Sequence, residues 1–121
     1  MITIEKHDIK KLEGYIENLE VYRKEMRFLK FEILENTRSE ATNDGMKRKY
    51  EKLCNIVEGV DQLIEEAGKE TKEIIRLRYW ECPIGCYEWQ DIADYFGISK
   101  TSTLRERDAI IRRLAMLIGY V

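Results

Sequence analysis

From Leu12 onward the apolar residues stand at Leu12, Tyr15, Leu19, Tyr22, Met26, Leu29 and Ile33, an alternation of three and four that lays one stripe along a helix. The charged residues between them, Glu13, Glu17, Glu20, Arg23, Lys24, Glu25, Arg27 and Lys30, make a solvated face with scope for pairs at helical spacing. The rhythm returns at Met46, Tyr50, Leu53, Val57, Val60, Ile64 and Ala67 and predicts a second helix of similar length. Between the two, Asn36 to Gly45 (NTRSEATNDG) gathers turn formers, and Asn43-Asp44-Gly45 is expected to break the pattern. Two stripes joined by a loop point to an antiparallel hairpin. The same spacing is also compatible with a coiled coil against another subunit.

The only proline is Pro83, so long helices are permitted almost everywhere and an all-α fold is expected, with sheet disfavoured. With 121 residues the chain fits one compact domain or a small domain plus a helical extension, too little for a catalytic domain beside a binding domain. Gly68 interrupts the second stripe. Lys69 to Trp80 (KETKEIIRLRYW) reads as a fresh helix carrying Ile74, Ile75, Leu77, Tyr79 and Trp80, and Glu81 to Gly85 as a turn. A short helix from about Tyr87 to Phe96, a tight connection Gly97-Ile98-Ser99 and a last helix to about Ile118 complete the chain. The expected division is a long helical hairpin over 1–68, for oligomerisation or partner contact, and a DNA-binding unit over 69–121.

Charge follows that division. Residues 1–68 hold 12 basic and 15 acidic side chains, residues 69–121 hold 9 and 8, and the whole chain has a formal charge of −2. Such a balance argues against coating nucleic acid through bulk positive charge. The stretch from Ser99 to Arg113, however, concentrates Lys100, Arg105, Arg107, Arg112 and Arg113 against Glu106 and Asp108.

That stretch closes a segment, Glu88 to Leu114 (EWQDIADYFGISKTSTLRERDAIIRRL), with the features of a helix-turn-helix: a short helix supporting a second that enters the major groove. Ala93 is small where two helices would cross, Gly97 admits the positive φ of a sharp turn, and Ile92, Phe96 and Ile98 are apolar toward a core. Ser99 is placed to cap the second helix. Lys100, Thr101, Ser102 and Arg105 then fall on its outward first turns, within reach of base edges or phosphates. Arg107, Arg112 and Arg113 lie further along, for the DNA backbone or for solvent.

The runs Glu73 to Trp80 (EIIRLRYW), Trp89 to Ser99 (WQDIADYFGIS) and Ile110 to Leu114 (IIRRL) resemble region 4 of sigma-70 factors, which binds the −35 promoter element. The ending Ile110 to Ala115 with Gly119, together with Lys11-Leu12-Glu13, resembles phage late-gene transcriptional activators of the RinA and ArpU type. These resemblances imply a double-stranded DNA partner, with promoter bases contacted from Lys100, Thr101 and Arg105. They further imply contact with RNA polymerase and a phage or prophage source. Glu106 and Thr103 depart from the apolar pattern, and a one-residue shift would turn Leu104, Ile111 and Ile118 inward. No segment resembles the sigma domain that melts the −10 element, so a recruiting activator fits better than a complete sigma factor.

Other classes have less in their favour. A single histidine, His7, with no glycine-rich phosphate loop and no HExxH pair, leaves no catalytic set, and no cofactor is expected. Cys82 and Cys86 lack the further ligands of a structural zinc site, and Cys54 reads as a packing residue. Trp80 and Trp89 are expected to pack in the core rather than to stack on bases, and Tyr15 and Tyr22 to lie in an interface or core. Three cysteines, no export signal and no apolar run of about 20 residues point to the reducing cytoplasm and away from a membrane. Two rival readings remain: a phage small terminase subunit, which forms rings and recognises packaging DNA, and a helical adaptor that binds protein through the Leu12 to Ile33 stripe.

Overall fold

Helix α1 (Lys6–Glu17) opens the fold, its first turn held by the Glu5 backbone N–H donating to Asp8 Oδ2 at 3.0 Å. Helix α2 (Leu19–Glu35) follows after Asn18 alone. The single long helix expected from Leu12 to Ile33 is therefore divided. Asn18 competes for helical backbone groups: its Nδ2 donates to the Gly14 carbonyl at 2.9 Å, the carbonyl that its own N–H bonds at 3.0 Å. The stripe survives the interruption. Tyr15 and Tyr22 meet edge to face at 5.9 Å across it, and Leu12, Tyr15, Leu19 and Leu29 are buried.

Helix α3 (Glu40–Glu66) runs straight through Asn43-Asp44-Gly45, where the sequence predicts a break. A glycine in a helix interior costs about 1 kcal/mol, which packing of an amphipathic face against a neighbour readily offsets. Asn43 is buried and Met46 half-buried on the stretch that lies along α2. Residues 36–39 of the expected loop lie outside the described residues. The computed structural model describes residues 4–35 and 40–120, and these form six α-helices and no strand, an all-α arrangement. Arg23 pairs with Asp61, and Lys49 Nζ with Glu25 at 2.8 Å, so earlier residues of α2 meet later ones of α3 and the two run antiparallel.

Helix α4 (Lys69–Ile75) continues into a π-helical turn (Arg76–Glu81), closed by the Cys82 N–H donating to the Leu77 carbonyl at 3.0 Å. Helices α5 (Trp89–Phe96) and α6 (Lys100–Leu117) complete the chain. One buried cluster draws on residues from both sides of Gly68: Leu12 and Ile16 of α1, Val57 and Val60 of α3, Ile74 and Ile75 of α4, Ile92 of α5, and Ile111 and Leu114 of α6. Leu29 of α2 and Leu53 of α3 are buried outside that cluster. At Gly59 α3 is tightly met by the residue just past α6: a Cβ there would overlap the Ile118 methyl group. Asn55 Nδ2 secures the same place, donating to the Ile118 carbonyl at 2.6 Å. The Tyr120 hydroxyl ties the end of the chain to Asp8 of α1.

Candidate nucleic-acid interface

Three residues turn the chain from α5 into α6. Helix α5 starts with the Glu88 backbone N–H donating to Asp91 Oδ2 at 2.9 Å, and it buries Trp89, Ile92 and Ala93. It ends in a Schellman motif: Gly97 takes φ +68°, its N–H reaches the Asp94 carbonyl at 3.3 Å, and the Ile98 N–H reaches the Ala93 carbonyl at 3.0 Å. Ser99 then caps α6, its Oγ accepting the Ser102 N–H at 3.1 Å. The capping serine, the glycine turn and the buried small residue at 93 all stand where the residue types place them.

The row that α6 turns inward is Thr103, Ile110, Ile111 and Leu114, all buried, with Leu104, Glu106 and Ile118 only half-buried. Thr103 belongs inside because its hydroxyl is satisfied locally, donating to the Ser99 carbonyl at 3.1 Å. At about 100° per residue, Thr101, Arg105, Ala109 and Arg112 line the opposite face, and all four are exposed. Lys100 is exposed at the start of the helix, and Ser102 sits at the edge of the face, its Oγ accepting from Ser99 Oγ at 3.0 Å. Among the described residues, Lys100, Arg105 and Arg112 form no ion pair, so three cations face solvent. Ala109 was not singled out from sequence. Its spacing of four from Arg105 was the available signal.

The other two arginines point elsewhere. Arg107 is half-buried, paired with Asp108 at 2.9 Å, beside Lys6, Lys10 and Glu13 of α1. Arg113 forks onto Glu66 at the end of α3, with Nη2 to Oε2 at 3.1 Å. Its hydrogen bonds hold the Glu66 carboxyl below its usual range and raise the guanidinium's own value. Of the seven candidate residues, five share the open end and outer face of α6, Arg113 ties α6 to α3, and Arg107 pairs with Asp108 on α6 itself.

The π-helical turn braces α5 from behind. Tyr79 packs edge to face on Trp89 at 5.9 Å, and the Arg78 guanidinium lies 5.2 Å from the Trp89 ring centroid. The Tyr79 hydroxyl donates to Glu13 Oε2 at 2.6 Å, and burial raises its pKa well above the ordinary tyrosine range. Trp89 is buried as its residue type suggests, but Trp80 is 42% exposed. The Trp80 indole donates to the Ile16 carbonyl at 2.9 Å, near where α1 gives way to α2, and this bond fixes one edge of the ring while leaving the rest in water. Cys82 Sγ donates to the Arg78 carbonyl at 2.9 Å, Cys54 is half-buried and Cys86 is buried. Among the described residues no three His, Cys, Asp or Glu side chains gather as a metal site, and no helix is long and apolar enough to cross a membrane. Comparison of the chain with known protein families, with curated proteins and with solved structures finds no match.

Proposed function

We propose that the chain is a sequence-specific, double-stranded DNA-binding regulator of transcription. In this reading α5, the Gly97 turn and α6 act as a sigma region 4-like helix-turn-helix, preceded by a helical hairpin. The observation that carries it is the outer face of α6. A helix braced on its inner side presents Lys100, Thr101, Arg105 and Arg112 to solvent, with Lys100, Arg105 and Arg112 in no ion pair among the described residues. Lysine and arginine at helical spacing reach phosphates along one groove wall, while Thr101 and Arg105, one turn apart, suit base edges. Ala109 between the two arginines keeps the helix surface low there, allowing close approach to the groove floor.

A formal charge of −2 makes affinity depend on this local face rather than on a general positive field. The resemblance to sigma region 4 and to phage late-gene activators supports RNA polymerase as the second partner and a phage or prophage setting. The test is a selection of duplexes from a random library by the purified chain at about physiological salt, where nonspecific binding is weak. Enrichment of one motif is expected. Recovery of unbiased sequence would overturn the reading.

A further inference from the structure

The stripe that faces α3 is not the only apolar row on α2. Val21, Phe28, Phe31 and Leu34 stand 59%, 60%, 60% and 74% exposed. The outer face of α3, the other helix of the hairpin, carries Lys47, Arg48, Glu51, Lys52 and Glu58, all exposed and polar. Among the described residues of these two helices, the exposed aromatics thus all stand on α2. Lys24, Phe28, Phe31 and Glu35 are spaced four, three and four apart, which aligns them along one line of α2 as a second seam of coiled-coil type. Two phenylalanines and a leucine held in water on one short stretch form a patch of the kind that marks an interface.

We infer that α2 pairs through this seam with α2 of a second copy of the chain, antiparallel, about a two-fold axis between Phe28 and Phe31. The charges on the seam select this occupant. In the antiparallel pairing each Phe28 meets Phe31 of the second copy, and each Lys24 meets Glu35 of the second copy. Both contacts occur twice, as a two-fold interface requires. A parallel pairing would set Lys24 on Lys24 and Glu35 on Glu35, like charge on like. Both side chains are exposed and hold no ion pair among the described residues, so they are available for the second copy. The Leu12 to Ile33 stripe takes no part, being occupied by α3 and the core. This pairing does not rest on the DNA reading, since it involves neither α5 nor α6.

Sedimentation of the full chain without DNA tests it, and its failure would leave the DNA reading standing. A concentration-dependent dimer is expected. Phe28→Glu combined with Phe31→Glu should raise its dissociation constant by about a hundredfold or more, since four rings leave the interface. Lys24→Glu alone and Glu35→Lys alone should each weaken it by roughly threefold to tenfold, and the two together should restore it. All four positions are exposed, so helix content by circular dichroism should not change. A chain that stays monomeric at the highest soluble concentration would overturn the inference and leave the seam to a different protein. So would a dimer indifferent to the phenylalanine changes, or a charge swap that fails to restore it.

Discussion

At Gly59 a hydrogen stands where any other residue would place a carbon. In isolation Gly59→Ala should favour α3 by up to about 1 kcal/mol through helix propensity. Against the β-branched Ile118, whose methyl group a Cβ would overlap, the substitution should instead lower stability by about 1–3 kcal/mol. Urea unfolding measures the sign directly, and a stabilised variant would show that the contact yields. The arginines of α6 divide in the same residue-level way. Arg105→Ala should weaken binding to the selected duplex by about 1–3 kcal/mol and to random duplex much less, because a base-reading side chain is lost. Arg113→Ala removes the fork onto Glu66 without touching the outer face, so it should leave the ratio of the two affinities unchanged. Equal discrimination by the two variants in a titration against both duplexes would defeat this division.

Several helix ends are set by a local chemical event, and the one at Ser99 bears most on function. Ser99→Ala leaves the Ser102 N–H without its side-chain acceptor and should cost about 1 kcal/mol of stability by urea unfolding, with Ser99→Asp retaining most of it. No loss in the alanine variant would mean that water caps α6 equally well. Such termini were legible in the residues: the serine cap, the glycine turn and the restart after Gly68 all lie where residue type and spacing put them. Two element features were not. Asn18 divides the first helix by a side-chain hydrogen bond to Gly14, although its neighbours keep the helical rhythm. Gly45 fails to end α3, because packing along α2 outweighs local propensity.

Among the described residues, Asp8, Glu66 and Glu73 carry carboxyls held below their ordinary values by hydrogen bonds within the fold. Tyr120 holds Asp8, Arg113 holds Glu66 and Arg76 holds Glu73. A carboxyl whose pKa is depressed on folding contributes stability above its unfolded value, and that contribution is lost as pH falls through the folded value. Stability should therefore be level near neutrality and decline as pH falls below about 4.5, the unfolded carboxyl range. Glu66 is exposed and Asp8 and Glu73 are half-buried at the surface, so the decline should be shallow and smaller at high salt. Glu66→Gln and Tyr120→Phe should each flatten it when denaturation midpoints are compared between about pH 6 and about pH 3. An unchanged slope in both would mean that other groups govern the acid response.

Periodicity by itself determined that the chain is helical, roughly where its helices lie, and which positively charged helix follows a glycine turn, because these follow from residue spacing and backbone chemistry within a turn or two. Only tertiary structure decided the direction each side chain faces once helices meet. It turned Arg107 toward α1 and Arg113 onto Glu66, left Arg105 and Arg112 facing solvent, and put Thr103 rather than Leu104 in the core. It also joined residues on either side of Gly68 in one buried cluster and left a second apolar seam of α2 uncovered. The physical reason is the range of the forces involved. Caps, turns and propensities act between neighbours in sequence, whereas burial and ion pairing act between surfaces that are far apart in the chain until it folds.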